Sequence, residues 1–378
     1  MDFSLSEIQE MMRESALKFI QKEYDFETRR KLSKSDIGYS EKNWELFAEL
    51  GWLALPIDED FGGIGGTVLD TIVLQEELGK GLLLEPYFSS VLLGANLVNK
   101  LGTQSQKEEM LENVISGQQK LALVHSEGHA PFDLTQMRTN AENRDGMYVL
   151  NGHKSVVLGG QNADILLVVA RTSGVMGDKK GLSVFVIPSD ITGITIKGYR
   201  TNDAMGAAEI TFNNVEVGAE TVLGQVDQAY EDVQRVLMEG VVNLSAEAVG
   251  IMEKLVELTA EYLGMREQFN APIGKFQALQ HRAADMFMEK ELAKSMLYYA
   301  AIETADGSAD YERACAMLKV RIGTAARFVG QQAVQLHGGM GVTDELSVGH
   351  YFKRLTCINN LLGSRDYHLN TLLTQVQN

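Results

Sequence analysis

His125, Glu127 and His129 alternate along one short segment, so on a strand their side chains would share a face, and two imidazoles with a carboxylate are a set that zinc accepts. The spacing is not H-E-x-x-H, and no metal site is expected. Serine, histidine and aspartate are all present without a G-x-S-x-G elbow, so hydrolysis by an activated serine has no support. The glycine cluster from Phe61 to Gly66 could wrap backbone amides around a phosphate. No β-rich strand leads into it, however, and the pattern predicts a structural turn between helices. His281, Arg282 and Asp285 share one helical stretch and are expected to form a polar network at a subunit contact.

These residues sit in a chain of 378 residues with 34 Lys+Arg against 51 Asp+Glu, a net charge of −17. Such a surface repels phosphate polymers, so nucleic acid is excluded as the main partner. The length suggests about two or three domains, enough to bury cores without metal or disulfide staples. The two cysteines, Cys315 and Cys357, lie far apart and form neither a disulfide framework nor a zinc set. The N-terminus lacks a basic stretch followed by an apolar core, and no apolar run approaches the roughly 20 residues of a membrane helix. A cytoplasmic protein without a membrane span is therefore expected.

Three segments differ in pattern. From Ser6 to about Gly117 apolar residues recur at helical spacing, with Ser6 as an N-cap before Ile8, Met11 and Met12. From Leu121 to about Leu223 short β-branched runs alternate with turn residues such as Asn151-Gly152, which predicts an antiparallel sheet or barrel of about seven strands. From about Gln228 helix returns, broken at Ala271 to Gly274, at Asp306-Gly307 and at His337 to Gly341, in lengths that suit an antiparallel four-helix bundle. The expected fold is α+β, with a helical domain over 1–118, a β-domain over 119–225 and a helical bundle over 226–378.

The run from Arg266 to Gln280 resembles the R-x-x-F-G-x-P-I-x-x-F-Q-x-x-Q signature of the acyl-CoA dehydrogenase family, with Asn270 replacing its glycine. Three other passages agree in position and order: Leu46 to Gly66, Asn151 to Lys154, and Gln335 to Gly341. Gly349 to Thr356 is similar to the type described as pimeloyl-CoA dehydrogenase small subunit, and to the heteromeric enzymes of steroid side-chain breakdown. The resemblance implies FAD, a tetramer built from the C-terminal bundle, and α,β-desaturation of an acyl-CoA with electrons passed to an electron-transfer flavoprotein.

Such chemistry needs a carboxylate to remove the α-proton, a flavin to take the β-hydride, and donors on the thioester oxygen. In most of the family the base precedes the glycine of an E-G-T motif, and here that place is taken by Leu362-Gly363-Ser364. Leu362 accepts no proton, although its amide could still meet the thioester oxygen. Some members carry the base on the first long C-terminal helix, where Gly240 aligns and Glu239 is one residue, about 100°, away. Glu239 is then either a base rescued by a bulge or register shift, or a solvated or salt-bridged glutamate.

The flavin contacts divide. In the ring half Ser126 keeps a hydroxyl, but Phe132 stands for the phosphate-binding serine, Val156 for the stacking tryptophan and Leu158 for the threonine that bonds the ring. The half that grips pyrophosphate and adenine from a neighbouring subunit maps to Arg266, Phe269, Gln277, Gln335, Gly338 and Gly339. A guanidinium suits a pyrophosphate because its planar fork donates in pairs. His337, just before the glycine turn, is either a helix-end cation or a neighbour of the adenine. The division points to a subunit of an α2β2 assembly that lends this half to a homologous partner. The alternatives are a homotetramer that uses Glu239, and a scaffold that has lost FAD.

Overall fold

The computed structural model describes residues 5–377, with side chains described to 374. The leader-free reading of the N-terminus rests partly on residues 1–4, which lie outside the described residues. Compactness divides the chain into two units, each assembled from separated stretches: residues up to 31 with 67–83 and those from 241 onward, and residues 32–66 with 84–240.

The second unit is built on a sheet. Its eight strands are β1 (Leu121–Val124), β2 (Asn140–Arg144), β3 (Met147–Leu158), β4 (Ile165–Arg171), β5 (Leu182–Pro188), β6 (Ile194–Arg200), β7 (Gly206–Gly218) and β8 (Val222–Leu223). They run in the order β6-β7-β3-β2-β4-β5-β8, with β1 also on β4. The sheet is mixed rather than purely antiparallel, because β1 pairs with β4 in parallel and β2 meets β4 in parallel at Asn140 and Arg171. The sequence pattern passed over β2, whose polar run Asn-Ala-Glu-Asn-Arg buries only Ala141, and over the two-residue β8. Leu150, Val168, Phe185, Ile187 and Ile210 fill the core between the sheet's faces. Around the sheet lie α3 (Glu41–Glu49), a wide-turned helix at Phe88–Ala95 that continues as α5 (Asn96–Leu101), and α6 (Gln104–Ile115).

The first unit is helical. Ser6 opens α1 (Glu7–Glu23): its hydroxyl accepts the Gln9 amide at 3.2 Å and its amide donates to the Gln9 side chain at 3.0 Å. This reciprocal box satisfies amides that a helix otherwise leaves unbonded. With α2 (Phe26–Leu32) and α4 (Val68–Gly81), α1 joins five C-terminal helices: α7 (Tyr230–Met265), α8 (Gln277–Ala305), α9 (Tyr311–His337), α10 (Ser347–Asn360) and α11 (Arg365–Gln377). There are five rather than four because the turn at Leu361–Ser364 divides the last helical stretch. A small hairpin, β9 (Glu267–Gln268) with β10 (Ala271–Pro272), follows α7. Helix α9 packs on α8, α10 and α11, burying Cys315, Leu318, Ile322 and Val329. Both cysteines are free thiols. No helix among the described residues is long and apolar enough to cross a membrane.

Helices α4 and α7 meet backbone to backbone. A Cβ on Gly250 would lie 1.8 Å from the Glu76 carbonyl oxygen, and one on Gly79 would lie 2.4 Å from the Glu247 carbonyl oxygen. Gly250→Ala should therefore cost about 1 to 3 kcal/mol through overpacking. The check is thermal unfolding, where an unchanged Tm would show that the crossing relaxes freely.

Candidate functional site

Glu239 lies on α7, which is α-helical without interruption from Tyr230 to Met265, so no bulge shifts its register. It is 9% exposed, and its carboxylate accepts from Asn96 Nδ2 at 2.7 Å and Arg235 Nε at 3.0 Å, with Lys100 Nζ at 3.2 Å. Two cations and an amide thus already occupy its oxygens.

The loop after β1 is organised by a buried ion pair. Lys154 on β3 is fully buried and donates to Glu127 at 3.0 Å and to the His125 carbonyl at 3.4 Å. Burial lowers the Lys154 pKa to about 8 against the pull of Glu127. Glu127 also accepts the amides of Arg138 and Thr139, each at 2.9 Å. With Glu127 so committed and His129 bonded to the Gln136 carbonyl at 2.9 Å, the three alternating residues are parts of a loop scaffold. Ser126 donates weakly to the Pro131 carbonyl at 3.5 Å. Val156 sits in an irregularity of β3 at φ +54°, 42% exposed. That backbone is unusual for a β-branched residue.

The glycine cluster serves as a turn. The amides of Gly62, Gly63, Ile64, Gly65 and Gly66 donate to the carbonyls of Glu59, Asp58, Ala54, Ile57 and Leu55, respectively. A Cβ on Gly63 would lie 1.9 Å from the Ile57 carbonyl oxygen. No amide of the five is left for a phosphate.

The turn between α10 and α11 is held from two sides. Lys319, a lysine on the apolar face of α9 with no exposure, donates to the carbonyls of Ile358 and Leu361 at 2.6 Å each. Burial, helped by the Arg354 charge, lowers its pKa to about 7. His368 on α11, 2% exposed, donates from Nε2 to the Leu362 carbonyl at 2.9 Å. Leu362 takes φ +53° and Gly363 φ +103°; a Cβ on Gly363 would lie 2.3 Å from His368 Nε2.

At the far end of α7 the expected phosphate-binding residues stand exposed. Arg266, Phe269, Gln277, Gln335, Gly338 and Gly339 are all open to solvent, and the Arg266 guanidinium has no partner among the described residues. Phe269 and Asn270 form the two-residue turn of the β9–β10 hairpin at φ +55° and +59°. Both positions of such a turn need positive φ, which explains why asparagine can replace the signature's glycine. Phe269 is 87% exposed and meets Phe276 edge to face at 6.0 Å. Gly338 turns at φ +59°, and nothing lies within 4 Å of a Cβ at Gly338 or Gly339. Within the polar group on α8, Arg282 reaches Gln332 at 3.3 Å.

Sequence reasoning gave no hint of a cavity of about 630 Å³ lined by Ser173, Lys179, Lys180, Gln228 and Tyr230, among others. Lys179 Nζ lies 5.2 Å above the Tyr230 ring, and Asp227 in the same wall is occupied by the Thr172 hydroxyl at 2.5 Å.

Comparison with known proteins gives these arrangements a context. Models of the acyl-CoA dehydrogenase N-terminal, middle and C-terminal domains match residues 6–118, 122–215 and 230–377. The mitochondrial isovaleryl-CoA dehydrogenase of Solanum tuberosum is 32% identical over 82% of this chain and 76% of its own length. The chain belongs to the acyl-CoA dehydrogenase family. These enzymes are oxidoreductases acting on CH–CH bonds. The structure of butyryl-CoA dehydrogenase from Megasphaera elsdenii matches over 100% of both chains at 28% identity and a TM-score of 0.91. The FAD complex of PigA covers 100% of this chain and 99% of its own, at 27% identity and a TM-score of 0.92.

The residues expected around an FAD fall into two groups. Phe132, Val156 and Leu158, expected beside the flavin, carry no hydrogen-bonding side chain and do not fit a ring held by polar side chains at those positions. The exposed Arg266 guanidinium and the open glycine turn, expected at the pyrophosphate, fit such a group. Lys319, which the sequence reading missed, carried one usable signal: a charge four residues from Cys315 and three from Ile322, inside an apolar stripe.

Burial lowers the His368 pKa to about 4. A depressed histidine pKa gives stability that is complete above the unfolded value of about 6.5 and is lost as pH falls toward 4. Urea unfolding at pH 7.0, 5.5 and 4.5 should show that loss, on the order of 1 kcal/mol per pH unit for one proton. His368→Gln should flatten its slope; an equal slope in the variant would assign the acid sensitivity elsewhere.

Proposed function

We propose that this chain is the completing subunit of a heteromeric acyl-CoA dehydrogenase, α2β2, in which its ADP-half residues finish an FAD site whose ring half and base lie on a homologous partner. The observation that carries this reading is the contrast between an exposed, unpartnered Arg266 with its open glycine turn and a ring half where Phe132, Val156 and Leu158 carry no hydrogen-bonding side chain. Bound FAD would supply hydride acceptance, with an electron-transfer flavoprotein taking the electrons onward. This chain's part is to bind and orient the cofactor's pyrophosphate end.

Two further features support the assembly. Phe287, Met288 and Leu292 on α8 are each at least half exposed, an apolar stretch suited to cover by another subunit. Glu239, held by Arg235, Lys100 and Asn96, reads as an ion-pair residue rather than a base.

Expressed alone, the chain should be colourless. Expressed with a homologue that carries the base, it should give a yellow complex that oxidises an acyl-CoA, and Arg266→Gln should lower the FAD content of that complex about tenfold or more, read by absorbance. One FAD per protomer and acyl-CoA oxidation by the chain alone would end this reading, and a colourless complex would favour a scaffold. Glu239→Gln should leave the turnover of the complex unchanged while lowering stability by roughly 1 to 3 kcal/mol. Loss of turnover with FAD retained would restore Glu239 as the base.

A further inference from the structure

Arg266 and the Gly338-Gly339 pair of the proposed half-site come from two turns about 70 positions apart in sequence. Each turn is held within itself, by the β9–β10 pairing and by the Gly338 amide on the Gln335 carbonyl, but neither of these bonds sets one turn against the other. Something rigid must set both.

The neighbouring residues provide it. His337, 4% exposed, lies nearly flat on Tyr262, with ring centroids 4.4 Å apart and planes 29° apart. Each ring sits at the root of one turn. Tyr262 is one helical turn before Arg266, whose amide donates to the Tyr262 carbonyl at 2.9 Å. His337 immediately precedes Gly338, and its Nδ1 donates to the Ala333 carbonyl at 2.8 Å, which fixes the ring's tilt against α9. The turn then folds back tightly: a Cβ on Gly341 would lie 2.6 Å from the Val334 carbonyl oxygen and 3.1 Å from His337 Cβ. We infer that Tyr262 and His337 are the positioning pair of the cofactor half-site, locking the end of α7 to the end of α9 so that Arg266 and the glycine turn face one ligand. Burial lowers the His337 pKa, in keeping with a stacked ring rather than a helix-end cation. In this role both rings act through the turns they root.

This inference rests on the half-site reading above and deepens it. The test uses the full chain and ADP as the probe, with affinity read by calorimetry and folding by Tm. His337→Ala should weaken ADP binding about three- to tenfold, as loss of an aromatic pair predicts, and His337→Phe should restore it because the flat ring remains. Tyr262→Leu, at a half-buried position and safer for folding, should weaken ADP as His337→Ala does. In the heteromer, KM for acyl-CoA should stay unchanged while FAD retention falls. If both truncations bind ADP like the wild type, the positioning role is overturned and the half-site stands. If His337→Phe is as weak as His337→Ala at an equal Tm, stacking is not the device and the inference fails. If the wild-type chain binds no ADP and its heteromer no FAD, the half-site reading itself falls, and the positioning role with it.

Discussion

The helical unit depends on the crossing of α4 and α7, where each helix offers a glycine to the other's carbonyl. Gly79 faces the Glu247 carbonyl and Gly250 faces the Glu76 carbonyl. Backbones this close leave no room for water, so the carboxylates beside the crossing must find cations within the protein. Glu247 takes both arms of Arg354 at 2.6 and 2.8 Å, Glu76 takes Lys294 at 2.8 Å, and Lys80 bridges Glu77 and Glu253 at 3.1 and 3.4 Å. Arg354 comes from α10 and Lys294 from α8, so the ion pairs fix where those helices lie. Burial still raises the pKa of Glu76 and Glu77, a sign of how dry the crossing is.

From that frame the two ends of the C-terminal helices are set differently. One end is closed: Lys319 and His368 bind three carbonyls of the Ile358–Leu362 segment and hold a leucine in left-handed backbone. The turn that carries Leu362 is therefore held from both sides. The other end is open, with Arg266, Phe269 and the glycine turn exposed around a stacked pair of rings. A net charge of −17 makes this openness selective. Anions reach such a surface only where a cation stands locally, and Arg266 supplies one.

In the sheet unit a buried ion pair gives the loop after β1 its shape. Lys154 and Glu127 satisfy each other inside the protein, and Glu127 collects two further amides. Removing either partner would strand a buried charge. The scaffold of the loop is thus maintained by residues that need not touch any ligand.

By itself the sequence determined the α+β class, the helix–sheet–helix order, the Ser6 cap and the structural turn at Phe61–Gly66, because periodicity, caps and glycine clusters are local properties of the chain. Its resemblance to the family went further, placing Leu362 where a carboxylate base is expected and Arg266 where a pyrophosphate grip is expected. Tertiary structure alone decided the mixed sheet, since β2 is polar and gains its place from neighbours that come later in the chain. It also decided the fate of Glu239, whose partner Asn96 lies 143 residues away, and the burial of Lys319 against carbonyls about 40 residues on. A charged residue's role depends on which partners the fold brings within about 3 Å, and spacing along the chain does not encode a distance of that kind.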